Sequence, residues 1–269
     1  MKYGLHDVMT YRHPMVGQKR KGRIFFLHGY GDYAGRYGYW FKYFAEHGYE
    51  VVSVDYPRFG KSSGEPKWVW GSPYDGVNAC VSFIKRVNEK YGREKSFLMG
   101  YSLGGLQSIH IGHVLPELVD GLVLMAPFID HHDKNKKFRN VKNTVDFFSS
   151  FLPNYTLVSN RDRMFIAQQH FQDDELKNTD ITFNMLSNLM KLQEALPPAN
   201  HVRLPPTLLM TAAKDGLIDT FGAWKYVTAA KQTDVSIVDY AQMNHMVYHD
   251  IRFLKQQTDL INSWMDARL

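Results

Sequence analysis

Gly100-Tyr101-Ser102-Leu103-Gly104 sets a serine between two glycines, where the apolar run Phe97-Leu98-Met99 gives way to a helix-forming stretch. A strand that turns sharply into a helix forces its central residue into a strained backbone. Glycines on either side remove the side chains that would collide there. Ser102 would then stand exposed at the strand end. Its hydroxyl alone is a weak nucleophile, but the first N–H groups of the following helix have no partner within it. They would stabilise a negative oxygen forming nearby. The chemistry implied is acyl transfer. Gly-x-Ser-x-Gly is a weak signal by itself, so the remainder of the chain has to supply a base, an acid and a second oxyanion donor.

A serine nucleophile needs a base within hydrogen-bond reach and a partner that fixes the tautomer of that base. Two later apolar runs end in such residues: Thr207-Leu208-Leu209-Met210-Thr211 leads into Asp215, and Val235-Ser236-Ile237-Val238 leads into His245. Asp215 lies on the loop before a helix, whereas Asp219 fits the N-cap of that helix; Asp130 is a minor alternative acid. Among 12 histidines, His6, His13 and His201 read as surface or loop residues, and His47, His110 and His113 fall on helices. His249 follows His245 by one helical turn and reads as structural. His28, in His28-Gly29-Tyr30-Gly31, ends an earlier buried strand and reads as shaping a loop. That loop supplies the second oxyanion donor, the N–H of Tyr30, beside that of Leu103. Both act through backbone, so their side chains are expected to be free to vary. Neither a carboxylate–histidine helix motif nor cysteine ligands accompany His131-His132, and no metal or cofactor is expected.

Composition narrows the class. With 44% hydrophobic, 22% charged and 14% aromatic residues in a chain of 269, a folded protein with a sizeable core is expected, as one domain carrying an insertion. No stretch is long and apolar enough to span a bilayer, and residues 1–22 lack the apolar core of a signal peptide. A cytoplasmic protein is therefore expected. The single cysteine, Cys80, excludes an intrachain disulfide and reads as a buried thiol. A net charge of +5 is mild. Lys19 to Arg23 and Lys134 to Arg139 read as solvated loops and not as a nucleic-acid site, leaving contact with an anionic lipid surface open.

Apolar runs of strand length alternate with helical periodicity: Ile24–Leu27, Val51–Val54, the Ser102 strand and Leu122–Ala126, with helices over 37–47 and 73–91. A short strand is expected near Asp7 to Tyr11. This pattern predicts an α/β fold, a mostly parallel central sheet flanked by helices, with ligands at the carboxyl ends of the strands. From Phe128 to Leu204 the alternation stops and the chain reads as helices only, over 141–151, 161–171 and 181–196. Residues 1–127 and 205–269 are therefore read as the core and 128–204 as an inserted helical cap over the site. Helix Val141–Phe151 carries Val141, Val145, Phe148 and Phe151 on one face, widened by Phe147 and Leu152. Phe148 and Phe151 are candidates to face substrate or a membrane.

The order Ser, Asp, His is that of the α/β-hydrolases. His28 through Tyr37, Asp55 through Glu65, Gly100 through Gly105, Asp215 through Asp219 and His245 through Asp250 resemble the corresponding segments of the monoacylglycerol lipase and lysophospholipase group of that fold, over nearly the whole chain. The resemblance implies Ser102 as nucleophile, Asp215 as acid and His245 as base, with a helical cap over an acyl-chain tunnel. It also implies substrate-binding positions. Arg36 matches the group, whereas Asp32 and Tyr101 stand where the monoacylglycerol lipases usually carry glutamate and histidine. The expected activity is that of a serine carboxylic-ester hydrolase cleaving lipid monoesters, monoacylglycerol or lysophospholipid. Alternatives on the same fold are a small-ester esterase or an aminopeptidase, the latter wanting acidic cap residues such as Asp173, Asp174 or Glu175. A non-catalytic binding protein would more often have lost part of the triad.

Overall fold

The computed structural model of the chain describes residues 1–269 except 18, 66, 68, 131–141, 159–173, 178–179, 232–233 and 247–250, and for 158, 251 and 252 the backbone alone. The helix expected over 161–171, the His131-His132 pair, the Lys134 to Arg139 cluster, Asp173 and His249 lie outside the described residues.

Two short strands, β1 (Lys2–Tyr3) and β2 (His6–Asp7), pair antiparallel before β3 (Thr10–His13), so the single strand expected near Asp7 is two. The alternating unit follows as β4 (Gly22–Leu27), α1 (Gly38–Glu46), β5 (Tyr49–Val54), α2 (Asp75–Tyr91), β6 (Ser96–Tyr101), α3 (Leu103–Val114) and β7 (Gly121–Met125). Then come α4 (Lys142–Phe151), β8 (Thr156–Val158), β9 (Ile181–Thr182) and α5 (Phe183–Glu194). The chain closes with β10 (Thr207–Ala212), α6 (Thr220–Ala229), β11 (Val235–Tyr240) and α7 (Ile251–Asp266). Seven strands form one sheet in the order β11-β10-β7-β6-β4-β5-β3, parallel except where β3 pairs antiparallel with β5 at one edge.

The inner strands are apolar without alternation because both sheet faces are covered. Phe25 and Leu27 of β4 face the side packed by Cys80, Phe83 and Ile84 of α2, Leu106 and Ile109 of α3 and Val227 of α6. Ile24 and Phe26 face the other side, against Trp40 and Phe41 of α1 and Ile261 and Trp264 of α7. Cys80 is a buried free thiol. The sheet therefore holds the carboxyl ends of β4, β6, β10 and β11, after which the candidate catalytic and oxyanion residues lie, in a fixed relation.

The stretch between β7 and β10 was expected to be helical throughout. It also contains a two-stranded antiparallel ladder, β8 with β9. Thr156, Val158, Ile181 and Thr182 are β-branched and favour extended backbone, but two or three residues are too few to show a period. Helix α4 packs Val145 on Phe183, Leu186 and Met190 of α5 in a small cluster of its own. The opposite side of α5 sends Met185, Leu189 and Leu192 into the main core, so α5 joins the two. Among the described residues no helix is long and apolar enough to cross a membrane.

Candidate active site

Ser102 sits between β6 and α3 with φ 52° and ψ −112°. The turn is tight enough that its glycines cannot be replaced in place. A Cβ on Gly100 would fall 2.3 Å from the Gly104 carbonyl oxygen, and one on Gly104 would fall 2.2 Å from that of Leu27. Gly104 thus lets α3 start against the end of β4, next to the loop that β4 feeds. In that loop a Cβ on Gly29 would come 3.5 Å from Ser102 Cβ, which places the Gly29-Tyr30 peptide beside the serine.

The three polar residues expected to act together meet. The Ser102 hydroxyl lies 3.0 Å from His245 Nε2, and His245 Nδ1 lies 2.7 Å from Asp215 Oδ2. His245 and Asp215 are both buried. The second carboxylate oxygen of Asp215 accepts the N–H groups of Leu217 at 2.8 Å and Ile218 at 3.0 Å. Burial alone would raise the Asp215 carboxyl. The charge and hydrogen bond of His245, with those two amides, outweigh it and hold the group below the usual carboxylate range. An ionised Asp215 then keeps the proton on Nδ1 and leaves Nε2 to accept from the serine. Asp219 instead caps α6, accepting Gly222 N–H at 3.1 Å. The acid and base loops are tied by Ala213 N–H to Tyr240 O at 3.1 Å and Lys214 N–H to Met243 O at 2.9 Å.

His28 is fully buried below the loop. Its Nδ1 donates to Gly29 O at 2.8 Å, its Nε2 accepts Tyr56 N–H at 3.3 Å, and its carbonyl accepts the Tyr56 hydroxyl at 2.7 Å. It shapes the loop as expected from the sequence. Burial pulls its imidazole below the ordinary histidine range, and burial does the same to His110 on α3. Such a histidine takes up a proton in the unfolded chain below about pH 6.5 that it does not take up when folded. Unfolding therefore binds protons, and stability falls as the pH drops through that value. Between pH 7.5 and 5.5 the free energy of unfolding is expected to decline by up to ~1.4 kcal/mol for each histidine that stays neutral. Urea unfolding at the two pH values checks this, and equal or greater stability at pH 5.5 would contradict it.

The other candidate positions divide. Asp32 and Arg36 are paired at 2.9 Å, and Asp32 also accepts the Tyr37 hydroxyl at 2.9 Å and its neighbour's amide, Tyr33 N–H, at 2.9 Å. The Tyr101 hydroxyl donates to His245 O at 3.0 Å, and its ring lies beside the His245 imidazole with centres 5.4 Å apart. These groups brace the loop and the base. Phe148 is partly exposed and stacks on Phe183, with ring centres 5.3 Å apart, while Phe151 is 69% exposed and touches Phe147.

Two features escaped the sequence. The Tyr30 side chain, expected to be free to vary, donates its hydroxyl to Asp180 O at 2.6 Å, and the Tyr33 hydroxyl donates to Asp174 Oδ2 at 3.0 Å. Asp55 also holds the segment from beneath, accepting Ala34 N–H at 2.8 Å, Lys61 N–H at 2.9 Å and the Tyr11 hydroxyl at 3.0 Å. The turn-forming composition around Gly60 marked a loop there but not its partner.

Known proteins of the same architecture match this chain along its length. Mouse monoglyceride lipase is 23% identical over 262 residues, covering 93% of this chain and 84% of that protein. The crystal structure of Paleococcus ferrophilus monoacylglycerol lipase superposes with a TM-score of 0.83 at 22% identity, covering 98% of this chain and 100% of that one. A soluble variant of monoglyceride lipase from Saccharomyces cerevisiae, in complex with a substrate analogue, gives 0.84 at 16% identity, covering 100% and 94%. A hydrolase family described as serine aminopeptidase, S33, matches residues 18–252. That match runs from before β4 to beyond His245 and takes in every parallel strand of the sheet, so the chain belongs to this family: it is an enzyme, a hydrolase of the α/β-hydrolase fold in the group that includes the monoacylglycerol lipases.

Proposed function

We propose that the protein is a serine carboxylic-ester hydrolase acting on lipid monoesters, monoacylglycerol or lysophospholipid, through an acyl-enzyme on Ser102. The observation that carries this reading is the unbroken hydrogen-bond line from Ser102 through His245 to Asp215, beside a peptide that can offer an N–H. His245 takes the serine proton as the hydroxyl oxygen attacks the ester carbonyl. The N–H groups of Tyr30 and Leu103 stabilise the oxyanion, and His245 then protonates the departing alcohol. Water repeats the sequence on the acyl-enzyme and releases the acid. Each proton that moves is carried by His245, so these steps require no cofactor.

An ester is favoured over a peptide by what Asp174 does. The family description names an aminopeptidase, and such an enzyme must neutralise a substrate ammonium. The Asp174 carboxylate is engaged by the Tyr33 hydroxyl and lies 3.7 Å from Arg36 Nε. A carboxylate already facing a guanidinium is a poor partner for a second cation.

Residues 128–204 serve in this proposal as a cap on the core formed by 1–127 and 205–269, with Phe148 beside the acyl chain. Phe147, Phe151, Leu152 and Tyr155 are exposed together, and so many apolar groups on one short helix and its exit suit contact with a lipid surface from the cytosolic side. Each acyl methylene transferred from water contributes roughly 0.8 kcal/mol. Octanoyl and oleoyl monoesters are therefore expected to exceed acetyl esters by orders of magnitude in kcat/KM. Phe151→Glu should lower activity on vesicle-borne substrate and spare dissolved octanoyl ester, whereas Phe148→Glu should weaken the chain-length preference itself. Hydrolysis of the three esters, and of an aminoacyl arylamide, checks this with melting temperatures alongside. A wild type that prefers acetyl esters or the arylamide overturns the lipid assignment.

A further inference from the structure

The loop that carries Tyr30 is held firmly from below and needs a second hold from above. Tyr30 lies between Gly29 and Gly31, and Gly31 adopts φ 69°, in the left-handed region. Backbone flanked by glycines has many orientations within reach, and close to it in the chain the Gly29–Tyr30 peptide is held at its carbonyl, which accepts His28 Nδ1–H at 2.8 Å and Asp32 N–H at 3.4 Å. The other contacts from below reach its neighbours: His28 through Tyr56, Asp32 through Tyr37 and Arg36, and Ala34 through Asp55.

The hold from above comes from Asp174 and Asp180, far along the chain. The Tyr30 hydroxyl donates to Asp180 O at 2.6 Å across 150 residues. The Tyr33 hydroxyl donates to Asp174 Oδ2 at 3.0 Å across 141 residues, and Arg36 Nε stands 3.7 Å from the same oxygen. Asp174 is itself fixed, since its Oδ1 accepts Leu176 N–H at 3.1 Å and its carbonyl accepts Lys177 N–H at 3.0 Å. The Tyr30 ring also meets the edge of Phe59, with centres 5.9 Å apart. A residue whose amide is wanted for chemistry therefore has its side chain anchored to a different part of the fold.

We infer that the Tyr30 and Tyr33 side chains couple the oxyanion donor to Asp180 and Asp174: His28 holds the carbonyl end of the Gly29–Tyr30 peptide, and the Tyr30 N–H is aimed fully at the reacting carbonyl only while Asp174 and Asp180 are also seated on the loop. This rests on the reading of Tyr30 N–H as an oxyanion donor. Tyr33, Asp174 and the phenol of Tyr30 are positioning groups that touch no reacting atom. Because the donor is used fully only once the carbonyl oxygen becomes charged, loosening it costs the transition state and leaves the ground state alone.

The test is a comparison of wild type with Tyr30→Phe, Tyr33→Phe and Asp174→Asn on a dissolved octanoyl ester. Two inhibitors accompany it: a trifluoromethyl ketone, which forms a tetrahedral oxyanion on Ser102, and the ether analogue of the substrate, which forms none. Tyr30→Phe keeps the ring on Phe59 and is expected to lower kcat ~10-fold, less than complete loss of an oxyanion donor, with KM changed less than twofold. Ketone affinity should fall by a similar factor and ether affinity should not change. Tyr33→Phe and Asp174→Asn should show the same pattern with smaller size. Wild-type kcat and ketone affinity in all three variants overturn the coupling, as does a loss of melting temperature without loss of kcat. If Tyr30→Phe fails to fold, the Tyr33→Phe and Asp174→Asn results decide alone. An inert wild type would overturn the acyl-transfer reading together with this inference; an active wild type with unaffected variants overturns this inference alone.

Discussion

Ser102→Ala is expected to lower kcat by about 10⁶, the size seen when the nucleophile of a serine protease is removed, and to leave the protein folded. The variant keeps the Cβ and the turn and removes one oxygen, whose partner is His245 Nε2 at 3.0 Å. His245 retains its stronger bond to Asp215 at 2.7 Å, and its carbonyl still accepts the Tyr101 hydroxyl. The sheet end therefore loses a single hydrogen bond, worth about 1 kcal/mol. Ester turnover, labelling by a fluorophosphonate and the melting temperature together check the result. Retained hydrolysis by purified S102A would remove Ser102 from the mechanism.

Asp215→Asn is expected to cost on the order of 10⁴ in kcat, as the equivalent change does in the serine proteases. The reason lies in how the two oxygens of Asp215 are used. One accepts two backbone N–H groups, from Leu217 and Ile218. An asparagine must turn its carbonyl oxygen to those donors, and its NH₂ then faces His245 Nδ1. That nitrogen has to accept, the ring proton moves to Nε2, and Nε2 can no longer take the serine proton. Asp219→Asn makes a sharp control, because asparagine is as good an N-cap as aspartate and the Gly222 bond survives. Its kcat should stay within about twofold on that ground. Greater damage from Asp219→Asn than from Asp215→Asn would show that the acid has been misplaced.

The same contrast explains what could be read in the sequence. Strands β4, β6, β7 and β10 are apolar on both faces, because helices cover both, and uninterrupted runs such as Ile24-Phe25-Phe26-Leu27 follow from that. Ser102 and Asp215 each stand just past such a run and His245 follows the half-buried edge strand β11, so locating the strands located them. Asp215 and Asp219 could be told apart because capping leaves a local mark. Nothing local marks the Tyr33–Asp174 pair: a hydrogen bond between residues 141 apart leaves no spacing to find, and Tyr30 looked replaceable for the same reason. Helix α4 shows what periodicity leaves open. Its periodicity put Val145, Phe148 and Phe151 on one face, but α4 leans on α5 along a narrow line. Val145 is buried, Phe148 is at the edge and Phe151 is outside.

The backbone at Ser102 has a consequence for the fold as a whole. A φ of 52° with ψ near −112° is a conformation that a residue with a Cβ adopts at a cost of about 1–3 kcal/mol. Set against a net stability of roughly 5–15 kcal/mol for a typical protein, that is a substantial share. Glycine would sit there with less strain, yet glycine has no hydroxyl. At this one position the residue that suits folding and the residue that suits chemistry are different, and serine stands there at the expense of the fold. The surrounding sheet makes that tolerable: β6 is hydrogen-bonded on both sides, to β4 and to β7, along its length. A strained residue is kept at the end of a strand that is bonded on both sides.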